Sequence, residues 1–241
     1  MIVLFSDFGA QDLYLGQVRA QLNRYAPNVP VIDLLNEVPN FNIEAGAHLL
    51  ASLCKHFDTG SVFFAVVDPG VGSKRDKAVM VADGYWFVGP DNGLLSVIAA
   101  RAKVVRTWRI TWEPENLTNS FHGRDLFGPV TAWIAAGKFP VDKLEPTEGL
   151  TFTSDGSDLQ EIIYVDHYGN GFTGIRASSQ DERTRISING QELEYARTFS
   201  EVSPGKAFWY PNSVGLVEIA VNKGNAVATL NLAVGQKVST S

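Results

Sequence analysis

Cysteine is almost missing: Cys54 is the only one in 241 residues. One thiol excludes an internal disulfide framework, and no Cys/His cluster has zinc-ligand spacing. Cys54 lies in AGAHLLASLCKHF and reads as a small buried side chain of a helix. Positive charge is not in excess either. Twenty Lys and Arg face 26 Asp and Glu, a net charge of −6, which argues against a nucleic-acid or anionic-membrane surface. No apolar run approaches the roughly 20 residues that span a bilayer. MIVLFSDFG is apolar for only a few residues before it turns acidic, so it is expected to be a first strand and not a signal peptide. These features fit a cytoplasmic protein bound to neither membrane nor nucleic acid. The first half has no G-x-G-x-x-G and no Walker A loop, so cradling of a dinucleotide or phosphate loses support. Internal repeats and low-complexity tracts are missing as well.

What is present falls into two styles. Up to about residue 145, short apolar runs (IVLF, VPVIDLL, SVFFAVVD, KAVMVADGYWFVG, VVRTWRI) alternate with helix-like segments such as DLYLGQVRAQLNRYAP and IEAGAHLLASLCKHF. Strands separated by helices predict an α/β N-terminal domain, 1–145, with a largely parallel sheet flanked by helices. SVFFAVV has the continuous apolar character of a buried parallel strand. EPTEGLTFTSDGSDL is polar and without period, giving a linker at 146–159. Beyond it come short β-type runs broken by turns, Asn189-Gly190 being a strong hairpin signal. They predict a small all-β C-terminal domain at 160–241, a barrel.

Several polar groups fall where such a fold exposes them. Asp7, in SDFG, ends the first strand, where open α/β sheets bind ligands; it either accepts hydrogen bonds from a ribose diol or caps the next helix. Asp68 ends the strand VFFAVV, and Arg75 follows across the loop PGVGSK. An arginine there keeps the acid ionised and oriented, whether as a structural ion pair or in a site. His122 sits in FHGRD, a glycine-containing loop, unlike His48 and His56 on a helix. GPDNG (89–93) is a turn-rich loop that opens a helix. In the second half DHYGNG, PNS and NKGN are polar turns, and Phe199 and Phe208-Trp209-Tyr210 are core aromatics unless one ring is left free to stack on a base.

Taken together, SDFG with Asp12 five residues after Asp7, VVDPGVGSKR, VGPDNGLL, FHGRDLFGP, DHYGNGFT and NSVGLVEIAVNKGNA occur in this order over nearly the whole chain. The sequence resembles the S-adenosyl-L-methionine hydroxide adenosyltransferase family, water-using relatives of the fluorinase and chlorinase. The resemblance implies a homotrimer whose active sites lie between the first domain of one subunit and the second domain of its neighbour. It also implies attack of water or hydroxide on C5′ of S-adenosylmethionine, giving adenosine and L-methionine.

The family's Asp–Arg–His triad lands on Asp68, Arg75 and His122, which halogenating relatives replace with a halide pocket. By the same resemblance Asp7 holds the ribose diol, with Phe41 beside it. Asp166 takes the methionine amino group and Ser213 its carboxylate. Tyr168, Asn170 and Phe199 form the adenine site, and Lys223 contributes backbone. Val214 stands where halogenating relatives have an arginine, so backbone amides are left to hold the carboxylate. No cofactor or metal is expected, because the sulfonium is already a good leaving group. Halide transfer on the same scaffold and a non-catalytic S-adenosylmethionine or adenosine sensor are the alternatives.

Overall fold

The computed structural model describes residues 1–241, which form two compact units, Met1–Gly156 and Ser157–Ser241. The N-terminal unit holds strands β1 (Ile2–Ser6), β2 (Val31–Leu35), β3 (Val62–Val66), β4 (Lys77–Ala82), β5 (Tyr85–Pro90), β6 (Val105–Ile110) and β7 (Leu144–Thr147). Its helices are α1 (Leu13–Tyr25), α2 (Ile43–Leu53), α3 (Ser96–Arg101) and α4 (Gly128–Ala135). Every residue of β1 and β3 is buried, and the two run parallel with Ile2 opposite Val62 and Ser6 opposite Val66. Ile2, Leu4, Phe64 and Val66 share a core with Val18 of α1 and Val130 of α4. The alternate residues Val3, Phe5, Phe63 and Ala65 are equally buried. With both faces covered, the strands carry no polar alternation. Each such Phe, Leu or Ile contributes about 1.5–3 kcal/mol by leaving water.

The sheet order is β2-β1-β3-β5-β4-β6-β7. Pairings are parallel for β2–β1, β1–β3 and β3–β5, then antiparallel for β5–β4, β4–β6 and β6–β7. The expectation of a largely parallel sheet is therefore corrected to a mixed one. The cause is local. KAVMVADGYWFVG is two strands joined at Asp83-Gly84, whose φ values of 47° and 89° suit a two-residue hairpin turn. So short a turn can only join antiparallel strands. The polar stretch after residue 145 starts within β7 and is then tied to the same unit, Thr151 N donating to Asp91 Oδ2 at 2.8 Å and Arg101 Nε to Gly156 O at 3.0 Å.

The C-terminal unit contains β8 (Leu159–Val165), β9 (Gly171–Arg176), β10 (Ile186–Ile188), β11 (Gln191–Leu193), β12 (Ala207–Pro211), β13 (Leu216–Val221) and β14 (Ser239–Thr240). They form two antiparallel sheets, β12-β13-β9-β8 and β11-β10-β14, around Ile162, Ile175, Trp209, Val217 and Ile219. Asn189-Gly190 makes the β10–β11 turn. One short helix interrupts the all-β expectation. This is α5 (Ala226–Leu230), capped by Asn225 Oδ1 accepting from Ala228 N at 2.8 Å, and five residues are too few to show a helical period. No helix in the chain is long and apolar enough to cross a membrane.

Candidate active site

The carboxyl ends of β1 and β3 deliver the first acidic groups. Beyond Ser6 the chain is held by Ser6 Oγ donating to Asn36 Oδ1 at 3.1 Å and Gly9 N donating to Asn36 O at 2.7 Å, so Asp7 has a set direction. Helix α1 is capped by Asp12, whose Oδ1 accepts from Leu13 N at 2.6 Å. Asp7 is therefore not the cap; its Oδ2 accepts from Phe41 N at 3.1 Å. Phe41 holds that N–H in place from a left-handed backbone (φ 62°), and the residue is 72% exposed. Burial is the main influence on Asp7 and lifts its carboxyl above the usual range; the Phe41 N–H opposes this and the Asp68 charge adds to it.

After β3, the loop from Asp68 to Arg75 is wound by Val71 N donating to Asp68 O at 3.2 Å and Ser73 N to Gly70 O at 3.0 Å. Gly72 lies against the loop that precedes His122. Its φ is +79°, and a Cβ there would stand 2.7 Å from Asn119 O, so only glycine fits. Arg75 returns to clasp Asp68 with two donors, Nε to Oδ1 at 2.7 Å and Nη2 to Oδ2. The two side chains are 7% and 5% exposed, and the guanidinium lies 5.4 Å over the Phe127 ring. In this fork-to-fork pair both carboxylate oxygens keep a lone pair for another donor.

His122, 5% exposed, precedes a single π-helical turn at Gly123–Phe127 that leads into α4. Its Nδ1 lies 3.3 Å from Arg75 Nη2. A guanidinium nitrogen can only donate, so Nδ1 is the acceptor and the ring proton belongs on Nε2. Burial, then the charges of Arg75 and Lys77, push the imidazole pKa below its ordinary value against weaker opposition from Asp68 and Glu113. The shift and the Arg75 contact both favour the neutral ring. Asp7, Phe41, Asp68 and His122 line one cavity of about 400 Å³ with Phe8 and Phe121, and Arg75 stands behind Asp68.

In the C-terminal unit, Asp166, Tyr168, Asn170, Phe199, Ser213 and Lys223 line a second cavity of about 680 Å³. Asp166 Oδ1 accepts from Tyr168 N at 2.9 Å and Asn170 N at 2.8 Å, while Oδ2 accepts from Asn170 Nδ2 at 3.2 Å. Phe199 meets Phe208 edge-on, ring centroids 5.1 Å apart, yet remains partly exposed. Lys223 sits at a left-handed turn position (φ 53°). Val214 does not line the cavity; its N donates to Asn212 Oδ1 at 3.1 Å.

Tyr210, expected in a core aromatic cluster, and Asn212, expected in a polar turn, also line this cavity, as does Glu218, which was not singled out from the sequence. Glu218 is 3% exposed and takes the Tyr210 hydroxyl as a donor. Burial raises the pKa of both groups. The available signal was a lone acid inside the apolar strand LVEIAV. GNGFTG (169–174) has the spelling of a dinucleotide loop, but it enters β9 of an antiparallel sheet and opens no helix, so it is not one.

Known proteins resemble this chain over its whole length. Residues 2–145 match the SAM hydroxide adenosyltransferase N-terminal domain and residues 160–239 its C-terminal domain. A protein of Thermus thermophilus named (R)-S-adenosyl-L-methionine hydrolase is 33% identical over 258 aligned positions, covering 98% of each chain. A fluorinase of Nocardia brasiliensis is 24% identical over 287 positions, covering 99% of this chain and 95% of its own. The crystal structure of an uncharacterized conserved protein from Thermotoga maritima superposes with a TM-score of 0.89 at 30% identity, all of both chains included.

Proposed function

The chain belongs to the SAM hydroxide adenosyltransferase family, and on that premise we propose that it hydrolyses (R)-S-adenosyl-L-methionine to adenosine and L-methionine. Water attacks C5′ in line with the C5′–S bond. The new bond joins the water oxygen to C5′, the C5′–S electron pair leaves with sulfur as the neutral thioether of methionine, and one proton is released. The sulfonium leaves readily without a Lewis acid, so no metal or cofactor is required. What the protein supplies is a water held in register, and positioning of this kind is worth on the order of 7–11 kcal/mol.

One observation carries the reading: Asp68 and His122 face one cavity with Asp7, and Arg75 clasps Asp68 from behind. Neutral His122 donates its Nε2 proton to the water oxygen. Asp68 accepts a hydrogen from the same water and takes the proton as the C5′–O bond forms. Arg75 keeps Asp68 aimed through its two donors. Asp7 accepts the ribose hydroxyls, and Phe41 covers the sugar. Asp166 and Ser213 hold the amino-acid end, Tyr168, Asn170, Phe199 and the Lys223 backbone hold adenine, and Val214 leaves the carboxylate to backbone donors. The reading further includes a closed barrel for the C-terminal sheets, a cytoplasmic location, and a homotrimer in which a neighbouring copy completes each site.

Incubating the protein with each sulfonium epimer of S-adenosylmethionine, followed by chromatography, tests the proposal. Adenosine and methionine should form one-to-one over many turnovers from the (R) epimer. Binding without products would replace the enzyme with a sensor, and a 5′-halo-nucleoside formed in chloride or fluoride at a rival rate would replace water with halide.

A further inference from the structure

The loop GPDNG, at 89–93, is absorbed by neither cavity, yet its polar groups reach both ends of the segment that carries Asp68 and Arg75. Strand β3 loses its ladder before that segment begins. On one side its last partner in β1 is Ser6, opposite Val66, and on the other its last partner in β5 is Val88, opposite Phe64. At Gly89 the backbone of β5 still presses on β3 so closely that a Cβ would fall 2.0 Å from Ala65 O. Val67, wholly buried and immediately before Asp68, therefore has a carbonyl beyond either ladder, where an unmet acceptor is costly. Asn92 Nδ2 donates to it at 2.9 Å. The same amide is locked at its other end, Oδ1 accepting from Leu94 N at 3.2 Å.

The far end of the segment is tied in parallel. Asp91 N donates to Asp76 O at 3.0 Å, and Arg75 Nη1 shares that carbonyl at 3.4 Å. Asp91 is itself anchored, its Oδ2 accepting from Thr151 N at 2.8 Å.

We propose that Asn92 is a positioning residue for the reaction: by holding the Val67 carbonyl it sets where Asp68 emerges from β3, and hence whether Asp68 meets both the Arg75 fork and the attacking water. This rests on the hydrolytic reading of the site. Asn92 touches neither substrate nor water and acts through the backbone. A shift of even 1 Å in a catalytic group can cost about 10²-fold in rate.

The test uses the full-length chain with Asn92→Asp, which keeps the acceptor for Leu94 N but turns the donor facing Val67 O into a second acceptor. Asn92→Ser, smaller and uncharged, is the companion variant should Asn92→Asp fold poorly. Steady-state kinetics, thermal melting and the solvent-exchange rate of the Arg75 Nε–H proton by NMR are read on each. The expected result is a fall in kcat of about 10-fold to 100-fold, with KM for S-adenosylmethionine changed less than about threefold. Melting should remain above the assay temperature, and the Arg75 Nε–H proton should exchange faster. A wild-type kcat per folded site, or a lower kcat with Arg75 Nε–H exchange unchanged, would overturn the proposal. A wild-type protein that makes no adenosine would instead count against the hydrolytic reading. Arg75 Nε–H exchange in the variants would then still decide whether Asn92 positions the pair.

Discussion

Removing Asp68 separates the stability of the Asp68–Arg75 pair from its chemistry. In Asp68→Ala the Arg75 guanidinium, with its side chain 7% exposed, loses both carboxylate oxygens and keeps Asp76 O at 3.4 Å, His122 Nδ1 at 3.3 Å and the Phe127 ring beneath it, none of them a counter-charge. Leaving one charge of a buried pair uncompensated costs about 3–5 kcal/mol. At roughly 2–4 °C per kcal/mol for a chain of this size, the melting temperature should fall by about 6–20 °C. Adding Arg75→Met removes the stranded cation, and most of that loss should return, because apolar replacement of a buried pair is commonly neutral or better. Activity should not return. Both variants should turn over S-adenosylmethionine at least about 10²-fold more slowly than the parent, the scale expected of a positioned acid–base group. Differential scanning calorimetry beside a chromatographic adenosine assay reads both quantities. A single variant that melts within about 2 °C of the parent would refute the buried-pair reasoning; a double variant that regains activity would refute the role of the pair.

His122→Gln should lower kcat by about 10²-fold with KM little changed, in the same adenosine assay. Because His122 binds a proton less readily folded than unfolded, its contribution to stability is intact above the ordinary histidine value of 6.5 and is lost as pH falls through that value toward the lower folded-state one. The parent's acid limb of stability should therefore flatten in His122→Gln when melting is followed from pH 8 to pH 5. Gly72→Ala should cost about 1–3 kcal/mol, since it adds a Cβ 2.7 Å from Asn119 O at a φ of +79°, and calorimetry should show the loss. Glu218 has the opposite sign to His122. Its folded pKa is raised, so its contribution is intact below the ordinary glutamate value of 4.5 and is lost as pH rises through the folded value. Glu218→Gln should then melt higher than the parent at alkaline pH, with the gap closing in acid.

Much of the site was legible because it obeys simple placement rules. Asp7 and Asp68 stand directly after buried apolar strands, and a charge at that point is conspicuous. The loop from Asp68 to Arg75, which lie seven positions apart, is rich in glycine and short enough to fold back on itself. His122 was one polar loop residue among several from pattern alone, and family resemblance singled it out. Its approach to Arg75 is a contact 47 residues away in sequence, which no local periodicity encodes. The mixed character of the sheet turned on a single Asp83-Gly84 turn inside a run that otherwise resembles one long strand. Helix α5 is too short for any period to show. Glu218 illustrates a different limit, since a strand's apolar pattern absorbs one acid without changing the strand, and only packing reveals that the acid faces a cavity. Asn92 is a turn residue by composition. Its reach to Val67 O exists only once β5 lies beside β3.

The central claim is that water becomes the 5′-hydroxyl of adenosine. Turnover in water enriched in oxygen-18, followed by mass spectrometry of both products, reads this directly. Adenosine should carry one heavy oxygen at C5′ and methionine none. Adenosine without the label, or a product with another atom at C5′, would contradict it.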